Sequence, residues 1–113
     1  MELLPHELGV QIPKLYRTRQ EPDPMVWVRF CSPIGNWRWY IIECEQVDRV
    51  LIFYGWMIHS AERGGRFIRT DLASMRAYFG ISIERDPAFV AWQLSEVQQR
   101  EAESEPEKEA RTW

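Results

Sequence analysis

The chain has 113 residues and a mass of 13.5 kDa, room for one hydrophobic core, and its 45% hydrophobic and 27% charged residues exclude an intrinsically disordered chain. No uncharged stretch approaches the roughly 20 apolar residues of a membrane helix, and Met1–His6 lack the basic start and apolar run of a secretory signal, so a reducing, cytoplasmic setting is expected. The formal net charge of −3 falls within residues 95–113, which hold six carboxylates and three bases; the preceding residues balance 11 bases against 11 acids, which disfavours a general duplex-coating protein.

Leu3, Leu4, Leu8 and Ile12 recur near helical spacing and Pro5 suits a first turn, so a short helix over Pro5–Val10 is expected before Pro13. Arg17–Pro24 is polar and carries two prolines, a surface connection. Met25–Cys31 alternates as a half-buried strand does, with Val26, Val28 and Phe30 on one side. Ser32–Asn36 supplies turn residues, and Trp37–Glu45 completes a hairpin, with Trp37, Trp39, Ile41 and Glu43 on one face and Arg38, Tyr40, Ile42 and Cys44 on the other. Val50–His59, rich in aromatic and β-branched residues, is the candidate central strand.

A turn over Glu62–Gly65 leads to a fourth strand, Arg66–Arg69. Thr70 or Asp71 then caps a helix carrying Leu72, Met75 and Phe79 and ending at Gly80. Ile81–Asp86 suits a short extra strand, and Phe89, Trp92, Leu94 and Val97 suit a helix packed on the body. Beyond Gln99 the apolar residues nearly stop. The result is an α+β domain over residues 1–99, an antiparallel sheet of about four strands with a short N-terminal helix and two later helices, followed by an acidic C-terminal tail over residues 100–113.

Gly64-Gly65 lacks the Lys-Ser/Thr that follows a phosphate-binding loop, and Cys31 and Cys44 stand alone, without zinc-site spacing, so neither a cofactor nor a disulfide is expected. Glu84 and Asp86 project to one side of a strand, as paired carboxylates for metal or acid–base work do; the competing reading pairs them with Arg69 or Arg76. Arg63, Arg66, Arg69 and Arg76 form a local basic cluster with Phe67 among them, a pattern that grips anions or single-stranded nucleic acid, although a solvated face has the same composition. Trp37 and Trp39, flanked by Arg29 and Glu43, make an apolar, donor-bearing centre with a charged rim if their face is open.

Ile12-Pro13-Lys14-Leu15-Tyr16, the pair Trp37 and Trp39-Tyr40, Phe53-Tyr54-Gly55 and Gly80-Ile81-Ser82-Ile83-Glu84-Arg85-Asp86 together resemble a bacterial family known as domain of unknown function 2958, over about residues 3–97. The resemblance implies a small protein of plasmids, integrative elements and phages and supplies no catalytic residues. The hairpin Glu62–Arg69 is more basic here than in the family, and the acidic stretch after Val97 departs from its pattern.

The leading expectation is therefore a non-catalytic partner-binding or regulatory protein of a mobile genetic element, an inhibitor of host defence or nucleic-acid-handling machinery. Its docking residues would be Trp37, Trp39, Arg29 and Glu43, and its acidic tail would steer it to a basic protein partner. The alternatives are a small metal-dependent hydrolase or nuclease using Glu84 and Asp86, and a nucleic-acid-binding accessory protein using the arginine hairpin.

Overall fold

A computed structural model describes residues 3–32, 36–59, 64–79 and 83–112, without the side chains of Tyr78, Phe79 and residues 104–112. The elements are α1 (His6–Gly9), β1 (Met25–Val26), β2 (Val28–Ser32), β3 (Trp37–Val47), β4 (Val50–His59), β5 (Arg66–Asp71), α2 (Leu72–Phe79), β6 (Glu84–Arg85), β7 (Trp92–Gln93) and α3 (Leu94–Thr112). Five strands form an antiparallel sheet in the order β5-β4-β3-β2-β6, and β1 pairs with β7 in a small second sheet. The expected α+β domain is present, with the short strand near Asp86 supplying the fifth position.

Val50–His59 is paired on both sides, an interior strand as its composition suggests, and because β6 attaches beyond β2 the midpoint of the sheet is β3. A two-residue turn joins β3 to β4, with Asp48 and Arg49 at φ 49° and 67°, the left-handed pair whose twist matches that of the strands it joins. Expected turns over Pro33–Gly35 and Glu62–Arg63, and the helix end at Gly80, lie outside the described residues.

The sheet has two faces, and each packs a hydrophobic core. On the front face Phe30, Trp39, Ile41, Phe53 and Met57 pack with Ile12, Met75 and Ile83, backed by Leu3, Leu4, Leu8 and Leu72 from the N-terminal segment and α2. Phe30 meets Phe53 edge to face at 5.2 Å, a geometry worth about 1 kcal/mol beyond area burial. On the back face Tyr40, Ile42, Trp56 and Ile58 pack with Leu94 and Val97 of α3, and with Phe89 and Trp92 before it. Among the described residues no helix is long and apolar enough to cross a membrane.

Two local irregularities overturn simple alternation. The segment expected as one strand breaks at Trp27, whose N–H bonds Ile41 O at 2.9 Å, so Val26 enters the back-face core while Val28 and Phe30 enter the front. In β3, Ile41 pairs with Gly55 and Glu43 with Tyr54, leaving Ile42 as the extra residue of a β-bulge. The bulge reverses the phase beyond it: Cys44 joins the front-face core, and Glu43 turns to the back.

There Glu43, fully buried, accepts N–H groups from Tyr16 at 2.8 Å and Thr18 at 2.9 Å as well as the Thr18 hydroxyl, while Glu45 accepts the Leu15 N–H at 3.2 Å. This carboxylate clamp holds Tyr16 at φ 71°, a left-handed conformation uncommon for an aromatic residue. Two other carboxylates cap helices: Asp71 accepts the Ser74 N–H at 2.8 Å in α2, and Asp23 accepts the Ser95 N–H at 2.8 Å and hydroxyl at 2.6 Å in α3. The Ser95 hydroxyl, then its N–H, hold the Asp23 carboxyl below its ordinary pKa.

Gly55 is where the bulge brings two backbones together. A Cβ there would lie 2.0 Å from Tyr40 O and 3.0 Å from Ile41 Cα, so any side chain has to push β3 and β4 apart. Gly55→Ala is expected to lower stability by about 3 kcal/mol, the upper range for overpacking, read as a fall in the urea midpoint.

Candidate functional site

Register places Arg29 opposite Tyr40 and Cys31 opposite Arg38, so two guanidiniums and a phenol share the back face. Helix α3 lies over them and supplies the missing carboxylate. Arg38 grips Glu101 with both prongs, Nε to Oε2 at 2.7 Å and Nη2 to Oε1 at 2.9 Å, and its Nη1 donates to Asn36 O at 2.7 Å. The Tyr40 hydroxyl donates to the same Glu101 Oε2 and accepts from Arg29 Nε at 3.2 Å. Arg29 Nη1 reaches Asp86 Oδ2 at 3.1 Å, and Asp86 Oδ1 accepts the Ala88 N–H at 2.9 Å. A continuous chain of polar contacts, Asp86–Arg29–Tyr40–Glu101–Arg38, thus crosses from β6 to α3.

The Arg38 and Glu101 side chains are 3% and 6% exposed, so each charge depends on the other for the solvation it has lost. Burial, then the charge of Glu101 and the hydrogen bond to it, raise the Tyr40 phenol well above its usual pKa and keep it protonated as a donor.

Above this network lies a cleft of about 350 Å³, within the size range of sites that take small molecules or anchoring side chains. Tyr40 lies at its base, Phe89, Trp92 and Val97 line its walls, and Val90, 59% exposed, stands at its mouth. The Arg100 guanidinium lies 3.8 Å from the Trp92 ring centroid, a cation–π contact that stiffens one wall, and its Nε stands 3.7 Å from Glu96.

The residues singled out from the sequence are scattered by the fold. Trp39 is 1% exposed in the front-face core, and Trp37, half-buried, stacks on His59 at 4.3 Å, so the expected docking face is closed by the N-terminal segment and α2. Glu43 is buried on the opposite face because of the bulge, and Arg29 also lies there, next to Tyr40. Arg66 and Arg69 point to opposite faces of β5, opposite Met57 and Tyr54 respectively; Arg76 is exposed on α2, and Arg63 lies outside the described residues. Glu84 is exposed, whereas Asp86 is held by Arg29 rather than by the expected Arg69 or Arg76. Among the described residues no group of three or more potential metal ligands gathers.

Arg38, Tyr40, Arg100 and Glu101 were missed. The legible signal was spacing: Leu94, Val97 and Glu101 recur at three and four residues, so Glu101 falls on the stripe that α3 buries, and a carboxylate there demands a cationic partner. The cut between residues 99 and 100 therefore passes through a docked helix, and Glu101 belongs to the body.

The family model described as "Protein of unknown function (DUF2958)" matches residues 3–105, and the chain belongs to that family. The match runs past Val97 and takes in Glu101. No curated protein and no solved structure matches.

Glu101→Ala is expected to cost about 3–5 kcal/mol in urea unfolding, because Arg38 stays buried without its carboxylate, and Arg38→Met combined with Glu101→Leu is expected to recover most of that loss. The Tyr40 phenol titrates later in the native state than in the unfolded chain, where the ordinary value is 10.0. Its stabilising contribution is complete below about pH 10 and fades as pH rises beyond it. The ultraviolet absorbance difference between wild type and Tyr40→Phe isolates this phenol and is expected to rise only above the range of ordinary tyrosines.

Proposed function

We propose that the chain is a non-catalytic, partner-binding regulatory protein, in the mobile-element setting that the family resemblance implies, and that it seats a large apolar side chain of a protein partner in the back-face cleft. The observation that carries this reading is the cleft itself: aromatic walls, a volume of about 350 Å³ and an exposed valine at the mouth. Its charged groups are already engaged within the fold, Arg29 with Asp86 and Glu101 with Arg38, so an apolar centre with a charged rim faces the ligand, as at interface hot spots. From the cleft wall α3 continues through Glu103, Glu105, Glu107 and Glu109, a run of carboxylates that would speed encounter with a basic partner such as a nucleic-acid-handling protein. A hydrolase built on Glu84 and Asp86 is the weaker reading, because both Asp86 oxygens serve Arg29 and Ala88.

Fluorescence anisotropy with labelled basic peptides, each bearing one aromatic or leucine anchor, tests the proposal. Anchored peptides are expected to bind, and replacing the anchor by alanine to weaken binding about tenfold or more. Ala88→Trp, which fills the cleft from an exposed turn without changing charge, is expected to do the same while the thermal midpoint holds. Removing residues 104–113 is expected to slow association and flatten its salt dependence with little change in dissociation. Binding indifferent to Ala88→Trp, or no binding by any anchored peptide, contradicts the proposal.

A further inference from the structure

The β4–β5 half of the back face lies beyond α3 and carries a second surface independent of the cleft. Cross-strand register sets Phe67 beside Trp56 and Arg69 beside Tyr54. The Tyr54 and Phe67 rings are nearly parallel, 12° apart with centroids at 6.0 Å, and Phe67 remains 51% exposed. The Arg69 guanidinium lies 4.5 Å from the Tyr16 ring centroid and 5.6 Å from that of Tyr54, and Arg19 lies 4.2 Å from Tyr16, itself 52% exposed. The Glu43 clamp on the Tyr16 and Thr18 N–H groups fixes this loop against the sheet, so the ledge is preorganised. A groove of about 250 Å³ runs along it, bordered by Arg19, Phe67 and Arg69.

From this geometry we infer that the ledge of Tyr16, Arg19, Tyr54, Phe67 and Arg69 binds single-stranded nucleic acid, with a base stacked on Phe67 and phosphates held by the two arginines that Tyr16 positions. Every base has a π-face, and exposed aromatics interleaved with guanidiniums suit an unpaired strand, whereas a duplex hides its base faces within its own stack. Two exposed arginines, Arg19 and Arg69, line the groove against exposed Glu21 and the buried, backbone-bonded Glu43, so cationic groups outnumber carboxylates at its surface even though residues 1–94 are neutral. Helix α3 borders the groove at Leu94, its positive end, and reaches Arg38 with Glu101, so its acidic half runs away from the ledge.

The test uses the full chain and labelled oligothymidylate and oligouridylate of about 12 nucleotides, at about 50 mM salt, with a duplex and polyglutamate as comparison polyanions. Either single strand is expected to bind more tightly than both comparisons, and the two strands separate DNA from RNA preference. Phe67→Thr, which keeps strand propensity, is expected to weaken binding about tenfold. Arg69→Gln is expected to weaken it and to flatten the salt dependence, with the circular dichroism of both variants unchanged. Ala88→Trp is expected to leave strand binding intact, so failure of the cleft reading and failure of this one are distinguishable. No binding by either strand, affinity matched by polyglutamate, or a folded Phe67→Thr variant that binds like wild type overturns the inference.

Discussion

One buried ion pair, Arg38 with Glu101, decides how the two halves of this chain meet. The sheet can form from β2 to β5 by local hairpins, but its back face is closed only when α3 lies down on it, and α3 is poor in apolar residues: Leu94 and Val97 are the buried hydrophobics that it contributes. Burying these two side chains fully is worth about 1.5–3 kcal/mol each, a small sum against the entropy of ordering a helix. The bidentate pair, with the Tyr40 hydroxyl on the same oxygen, adds direction to that weak attraction, because an unpaired Arg38 or Glu101 at this depth is far costlier than a displaced leucine. The helix can therefore settle in one register, with Glu101 over β3. The cleft is a consequence of that register: Val97, Arg100 and Glu101 form one side of it only while the helix is docked.

The strands were legible because their chemistry is local. Alternation, turn residues and the Asp71 cap all act within a few positions, and the hairpins and α2 follow from them. The bulge at Ile42 was not legible, since nothing in Ile41-Ile42-Glu43 announces that two residues will oppose one; Gly55, the residue that permits the close approach, lies on the partner strand. That single extra residue moved Glu43 to the back face and Cys44 to the front, which took the charged rim from the expected patch, while its tryptophan centre was closed by the N-terminal segment and α2. Burial, and then the charge of Glu45, push the Cys44 thiol up to about 11, in keeping with a packed side chain rather than a nucleophile.

The candidate site was less legible than the fold because it is assembled across long sequence separations. Glu101 stands 63 positions from Arg38 and Asp86 57 positions from Arg29, so neighbourhood in sequence could not join them. Composition misled in the same direction: a glutamate in a run of acids reads as solvated, and only its place on the Leu94–Val97 stripe marks it as buried. The arginine cluster failed for the opposite reason. Residues close in sequence on β5 project to opposite faces, and Arg69 joins not Arg66 but Tyr16, brought in by the Glu43 clamp.

The back face thus has an organisation that the sequence hid: a cleft beside α3, an aromatic–arginine ledge beside β5, and a buried polar chain holding the helix next to both. The cleft exists only while α3 is docked through Glu101 rather than lying loosely on the sheet. Native-state hydrogen exchange at the α3 amides from Val97 to Glu101 tests this directly. Opening free energies near the global stability in wild type, falling to those of a frayed helix in Glu101→Gln while β3 and β4 stay protected, are the expected result. Exchange in wild type as fast as in an isolated helix, with the sheet still protected, would contradict it.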